Sequence, residues 1–244
     1  MFIYILVIKI KKMLNKFNKI IHIKYSKFLR FIFFLRYLFA IFLTSIALFL
    51  IIPNFFDYEK KMQIIKDHLA KNYDLEINNY EKIGFKSLPS PRLELKNVKL
   101  NLKSSPIEID TKNLQIYLNI LSIYNYDNFQ PNKIVLQNSN IVLEANILKF
   151  LIKNLFDQRN KLFLKNLNLK VQNKNSSIIN FENIEFKNFG YRKGLIKGKV
   201  FKKKFIIKIG NNFENINFKI PNSGINADVI FDPVKKNLTS GIFK

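Results

Sequence analysis

A continuous apolar run from Phe31 to Ile52 is the feature that most limits how this chain can fold. The run contains one charge, Arg36, close to its start. A helix needs about 20 apolar residues, at roughly 1.5 Å each, to cross the hydrocarbon core of a bilayer. The run therefore predicts a transmembrane helix, and Pro53, which cannot continue a helical hydrogen-bond ladder, is expected to end it. The predicted membrane anchor presents apolar side chains along its whole length, at Phe31, Leu35, Leu38, Ile41, Leu43, Ile46, Leu50 and Ile52.

The charges that precede this run predict its orientation. Residues 1–30 carry eight basic side chains and no acidic one, and an excess of Lys and Arg marks the cytoplasmic flank of a span. We therefore expect residues 1–30 inside the cell, 31–52 in the membrane and 54–244 exported. A cleaved signal peptide is one alternative, but five more apolar residues follow its best small-residue site, Ser45 to Ala47. A buried helix of a soluble protein is the other.

About 190 of the 244 residues follow the run, which is enough for one domain with a sizeable core. The chain has no cysteine, so it forms neither disulfides nor thiolate metal sites. Its net charge of +24 favours anionic partners such as lipid headgroups. The basic residues are scattered and no recognition helix or stacking motif accompanies them, so nucleic acid is not a predicted partner.

The remaining sequence predicts a mainly β domain. A short amphipathic helix is expected from Asp57 to Asn72, with Asp57 as its N-cap, and a second helix from Ala145 to Phe156. Apolar and polar residues otherwise alternate, which is typical of antiparallel strands with one apolar and one wet face. The alternating segments are Leu75–Ile77, Leu93–Leu102, Ile107–Ile109, Leu114–Ile120, Ile134–Leu143, Leu162–Val171, Ile179–Phe186, Phe205–Ile209, Ile216–Ile220 and Ile225–Phe231.

Three of these segments share the pattern apolar-x-apolar-x-Asn-apolar-x-apolar. Directly after each Asn the apolar residues change from one phase of the alternation to the other, which would turn an unmodified strand over. One inserted residue restores the face, and Asn tolerates the left-handed conformation that such an insertion requires. We therefore predict bulges or corners that bend the sheet at Asn97, Asn166 and Asn183.

The sequence presents no catalytic constellation. The two histidines, His22 and His68, fall on opposite sides of the predicted membrane and cannot share a metal ion. Seven glycines form no phosphate-binding loop, no serine lies in a nucleophile elbow, and no carboxylate dyad stands out. We expect a protein that is not an enzyme and that uses no cofactor.

The segment from Leu88 to Leu100 resembles the N-terminal region of the AsmA family of bacterial envelope proteins. In that family an inner-membrane helix ends at a proline, a helical segment follows, and a proline-containing turn leads into Leu-x-Leu-x-Asn-Val-x-Leu. The order and spacing agree over residues 31–145. The matching residues here are Pro53, Pro89, Pro91, Leu93, Leu95, Asn97, Val98 and Leu100.

The resemblance implies an elongated, curved, mostly antiparallel sheet in the periplasm, forming an apolar groove that binds or conducts phospholipid and supports outer-membrane assembly. Family members are commonly much longer and carry a C-terminal region that is absent here. Either the chain is a piece of a longer protein, or its last strand presents an open edge that a partner protein covers, which crosslinking from residues near Phe243 would detect. In the second case the protein is a membrane-tethered scaffold.

Overall fold

The computed structural model describes residues 2–119, 123–124, 131–174, 176–188, 194–210, 215–232 and 237–243. The chain forms two compact units, Met1–Ile52 and Pro53–Lys244. The first is one helix, α1, at Phe2–Ile51, followed by a 3-10 turn at Ile52–Phe55. Residues 2–30, predicted as a separate basic segment, belong to this same helix. Ile120, the predicted end of one strand, lies outside the described residues.

Two short helices belong to the second unit, α2 at Met62–Tyr73 and α3 at Leu148–Asp157. The prediction that the first begins at Asp57 is wrong, since Lys61 occupies the N-cap position without a side-chain cap. Asp57 instead accepts hydrogen bonds of 3.2 and 3.4 Å from the backbone N–H groups of Glu59 and Lys60. It therefore organises the turn that leads into α2.

Twelve strands form one sheet, which confirms the predicted mainly β class. Their bounds are β1 Leu75–Asn79, β2 Lys82–Lys86, β3 Arg92–Leu102, β4 Glu108–Leu118, β5 Pro131–Glu144, β6 Leu162–Asn173, β7 Ser176–Asn188, β8 Gly194–Val200, β9 Lys203–Gly210, β10 Asn215–Ile220, β11 Ile225–Asp232 and β12 Asn237–Phe243.

The sheet is open, and its strand order is β1-β3-β4 and onward in chain order to β12, with β2 also paired to β3. Neighbouring strands are antiparallel except β5 and β6, which are parallel. A parallel pair needs a long connection, and here that connection contains α3. The helix predicted from the sequence at 145–156 is thus the crossover of the sheet.

One row of apolar side chains crosses nine consecutive strands. In the register of the sheet each member lies directly opposite the next, and all of them project from the same face. We call the face that carries this row the apolar face and the other the reverse face. The row runs Leu95, Leu114, Leu136, Leu164, Phe186, Ile196, Ile207, Phe218 and Ala227.

A line of inserted residues, which we call the crease, runs across β3 to β7, and it confirms the bulges predicted at the asparagines. On β3 the apolar face passes from Leu95 to Val98, three residues instead of the usual two, and β4, β5 and β6 make the same step at the same level. On β7 the extra residue lies between Phe181 and Ile184, where it makes a bulge against β8. Left-handed backbone φ angles of 46°, 54°, 57° and 50° occur at Asn97, Asn138, Asn166 and Asn183.

Side-chain contacts link the asparagines across the crease. Asn166 Nδ2 donates to Asn138 Oδ1 at 2.6 Å, and Asn168 Nδ2 donates to Asn140 Oδ1 at 3.2 Å. Because β3 to β6 insert their extra residue together, they stay in register and keep the same face towards the core.

Candidate functional site

The predicted membrane anchor occupies the last part of α1. Within Arg30–Phe55 an 18-residue window has a mean hydropathy of 2.3 and is 0% buried, so the segment is long and apolar enough to cross a membrane. The hydroxyls of Thr44 and Ser45 donate hydrogen bonds of 2.9 Å to backbone carbonyls four residues earlier, which satisfies both polar groups within apolar surroundings. The first seven predicted anchor residues lie on the helix and the eighth in the turn after it: Phe31, Leu35, Leu38, Ile41, Leu43, Ile46, Leu50 and Ile52.

The eight residues of the motif that resembles the AsmA family lie in turns, in the crease and in the core. Pro53 is buried in the turn after α1, and its carbonyl accepts a 2.8 Å hydrogen bond from the Tyr58 hydroxyl. Pro89 and Pro91 precede β3, and the Pro91 carbonyl accepts from the Leu118 N–H at 3.1 Å. Asn97 lies in the crease. The four remaining residues are each no more than 1% exposed in the core: Leu93, Leu95, Val98 and Leu100.

Two helices close the apolar face over the first half of the sheet. Ile65 and Leu69 of α2 and Leu151 of α3 are at most 4% exposed, and they form one core cluster with the strands beneath them. A cavity of about 20 Å³ remains between α3 and the sheet, room for no more than a single water molecule. This part of the face is a filled core, so the groove expected from the resemblance does not extend over β3 to β6.

Beyond β7 the apolar face continues without a covering helix. The core cluster ends at Phe186, with Ile196 packed against it, and in the described part of the chain no helix follows Asp157. Phe205 and Ile209 are buried, and the other side chains of this half are half-buried. We call this surface the open apolar face, and its half-buried members are Ile196, Ile207, Ile216, Phe218, Ile220, Ile225, Ala227 and Val229.

An aromatic ring seals the start of the open apolar face. Gly198 lies opposite Phe205, and a Cβ at this glycine would lie 2.9 Å from a carbon of the ring. Only glycine leaves the ring room to lie over the backbone. Phe205 is consequently just 4% exposed, and it meets Phe181 edge to face at 5.9 Å. The Phe205 ring therefore packs between the filled core and the open apolar face.

The reverse face of the same strands is basic. Glu182 and Glu185 of β7 lie opposite Lys199 and Lys197. The lysines of this face on β8 to β10 are Lys197, Lys199, Lys204, Lys208 and Lys219. The same face also carries Leu195, Ile206, Asp228 and Ile230, so it is richer in charge than the apolar face but not wholly polar.

Polar side chains form a connected network on the reverse face of the first half. Glu94, 6% exposed, is 2.9 Å from both Lys86 Nζ and Arg92 Nε and accepts a hydrogen bond from Gln115 at 3.1 Å. Burial by itself would raise the pKa of Glu94, but hydrogen bonds and the charges of Lys86 and Arg92 outweigh it and leave the pKa lowered. Glu94 is thus a carboxylate that is paired with both Lys86 and Arg92.

Metal-ligating side chains are dispersed among the described residues. Among the described residues no group of three His, Asp or Glu side chains has the geometry of a metal site. His68 Nε2 is 3.1 Å from Asn72 Nδ2 on the same helix, and burial lowers the pKa of His68. The individual residues of the open apolar face were not singled out from the sequence, because the alternation of a covered strand and of an uncovered one is the same.

No family model, no curated protein and no solved structure shows significant similarity to this chain.

Proposed function

We propose that this protein is an AsmA-like envelope protein, held by α1 in the inner membrane of a bacterium, whose periplasmic domain binds the acyl chains of phospholipids on the open apolar face. It contributes to envelope biogenesis by binding or conducting lipid towards the outer membrane, without catalysis. The observation that carries the proposal is the apolar row, which leaves the filled core at Phe186 and continues through half-buried side chains from Ile196 to Ala227, where the described part of the chain places no helix.

The energetics favour an acyl chain as the ligand. Each methylene removed from water contributes about 0.8 kcal/mol, so on the order of ten methylenes laid along the row contribute roughly 8 kcal/mol before the costs of ordering the ligand. Branched and aromatic side chains provide no directional contacts, which suits a ligand without hydrogen-bonding groups. The net charge of +24 favours an anionic headgroup on that ligand.

Site-specific photocrosslinking in cells tests the proposal. A benzophenone amino acid at Phe218 or Ile207 is expected to give phospholipid adducts of the full chain, identified by mass spectrometry. Asn217 and Ile206 provide matched controls, because each is the chain neighbour of a test residue and projects from the reverse face. We expect at least tenfold less lipid adduct from the controls. Equal yields from both faces would contradict acyl-chain binding.

A second candidate, the membrane-tethered scaffold, is favoured by the edge of the sheet. β12 ends the strand order, and its seven residues contain neither charge nor proline, the usual protections of an exposed edge. A strand of a partner protein would pair with it by strand addition. A photocrosslinker at Phe243 is then expected to trap one protein partner, whereas one at Lys219, inside the sheet, is not. An edge that yields no protein adduct would leave only the lipid-binding proposal.

A further inference from the structure

One end of the reverse face holds two lysines, Lys133 and Lys161, that form no ion pair with any described carboxylate. In the register of the sheet Arg92 lies opposite Tyr117, and Tyr117 lies opposite Lys133. Lys161 directly precedes β6, and its carbonyl accepts a 3.0 Å hydrogen bond from the N–H of Ile134. Lys133 and Lys161 are therefore neighbours on two parallel strands. Arg92 is bound to Glu94, whereas no ion pair among the described residues involves Lys133 or Lys161.

Aromatic rings position the central cation. The Lys133 ammonium nitrogen lies 3.9 Å from the ring centroid of Tyr117 and 5.3 Å from that of Phe163. Such contacts hold a lysine in place but leave its hydrogen-bond donors without a counterion. Burial, and then the nearby charges of Lys165 and Lys161, lower the pKa of Lys133. An anion bound between Lys133 and Lys161 would relieve this repulsion.

The charges line a cavity of suitable size. Its volume is about 570 Å³, within the range of roughly 300–1,000 Å³ typical of small-molecule sites. Tyr117, Phe163 and Pro91 give it apolar walls, and the polar lining comes from Ser90, Asn119, Asn132, Lys133 and Lys161. The combination of two ammonium groups, amide and hydroxyl donors and no lining carboxylate is selective for an anion.

We propose that this cavity is a binding site for a phosphate-bearing anion, held by Lys133 and Lys161 against the Tyr117 ring. Because the site lies on the reverse face, the inference goes beyond acyl-chain binding and does not depend on it. Either a phospholipid headgroup or a free phosphate compound presents this chemistry, and the experiment separates the two.

Calorimetric titration of the full chain in a neutral, phosphate-free detergent tests the site. The probes are inorganic phosphate, short-chain phosphatidylglycerol and short-chain phosphatidylcholine. Saturable binding of inorganic phosphate identifies a general phosphate site, and binding of phosphatidylglycerol alone identifies a headgroup site. In both cases Lys133→Gln is expected to weaken binding at least tenfold and Lys161→Gln severalfold, while Lys133→Arg, which keeps the charge, stays within about threefold of the natural chain.

Lys208→Gln is the matched control, because it removes one charge from the same face at a distant strand. It is expected to change the affinity less than twofold. The proposal is overturned if neither inorganic phosphate nor phosphatidylglycerol binds, if phosphatidylcholine binds as tightly as phosphatidylglycerol and inorganic phosphate does not bind, or if Lys208→Gln weakens binding as much as Lys133→Gln. Unchanged circular dichroism of each variant separates loss of binding from loss of folding. If phosphate binds but the open apolar face yields no lipid adduct, the acyl-chain proposal is refuted and the phosphate site is not.

Discussion

Replacing Leu69 by alanine is expected to lower the free energy of unfolding by about 3 kcal/mol, within the range for buried leucines. Leu69 is 0% exposed and lies in the face of α2 that covers the sheet. Truncation removes apolar contacts and leaves a cavity that close-packed neighbours fill only in part. Chemical denaturation of the full chain in detergent measures the change, and the circular dichroism signal of the β domain reports the unfolding.

Ile64→Ala is the matched control on the same helix. Ile64 is 38% exposed, so its truncation is expected to cost less than about 1 kcal/mol. If the two variants were equally stable, α2 would not be the cover of the core, and the apolar face beneath α2 would be open. That outcome would restore the longer groove implied by the family resemblance.

Replacing Asn166 by valine is expected to destabilise the domain by about 2–3 kcal/mol. The backbone φ of Asn166 is 57°, a conformation that costs an ordinary residue about 1–2 kcal/mol and a β-branched residue more. The variant also loses the 2.6 Å hydrogen bond to Asn138, a further contribution of about 1 kcal/mol. The same denaturation experiment measures the effect.

Asn166→Gly separates the backbone from the side chain. Glycine adopts this conformation without steric cost, so only the hydrogen bond is lost, and a decrease of about 1 kcal/mol or less is expected. Asn166 is exposed, so neither change disturbs core packing. Equal destabilisation by valine and glycine would show that the left-handed conformation does not determine the crease.

Most of the fold follows from two signals in the sequence, a continuous apolar run and a two-residue alternation. The long apolar run predicted the helix that ends before Pro53, and two-residue alternation predicted the β class. The phase change after Asn97, Asn166 and Asn183 predicted the crease, because a change of phase in a strand with one buried face requires an extra residue. These signals are local, and the backbone responds to them directly.

Three strands were not predicted, and each has a physical reason. β2 at Lys82–Lys86 has only two large apolar residues and a glycine. In β8, at Gly194–Val200, adjacent Leu195 and Ile196 interrupt the alternation, and Gly198 weakens strand propensity although it accommodates Phe205. β12 at Asn237–Phe243 combines polar and small residues. All three depend on pairing with a neighbour rather than on their own pattern.

The candidate sites were less accessible from sequence than the fold. Alternation does not reveal which strands a helix covers, so the limit of the filled core at Phe186 required the structure. Lys133 and Tyr117 are 16 positions apart in the sequence, and their proximity depends on the register of β4 against β5. Scattered lysines in a basic chain gave no signal that these particular ones converge.

The order of the last strands has a consequence for how this protein can vary. From β7 to β12 every strand bonds only to its neighbours in the chain, so this half is a linear array in which contacts are nearest-neighbour. Adding or deleting one hairpin at its far end would lengthen or shorten the array by about 9.6 Å and leave the helix-covered part untouched. The length of the sheet can therefore change by whole hairpins, independently of the stability of the helix-covered part.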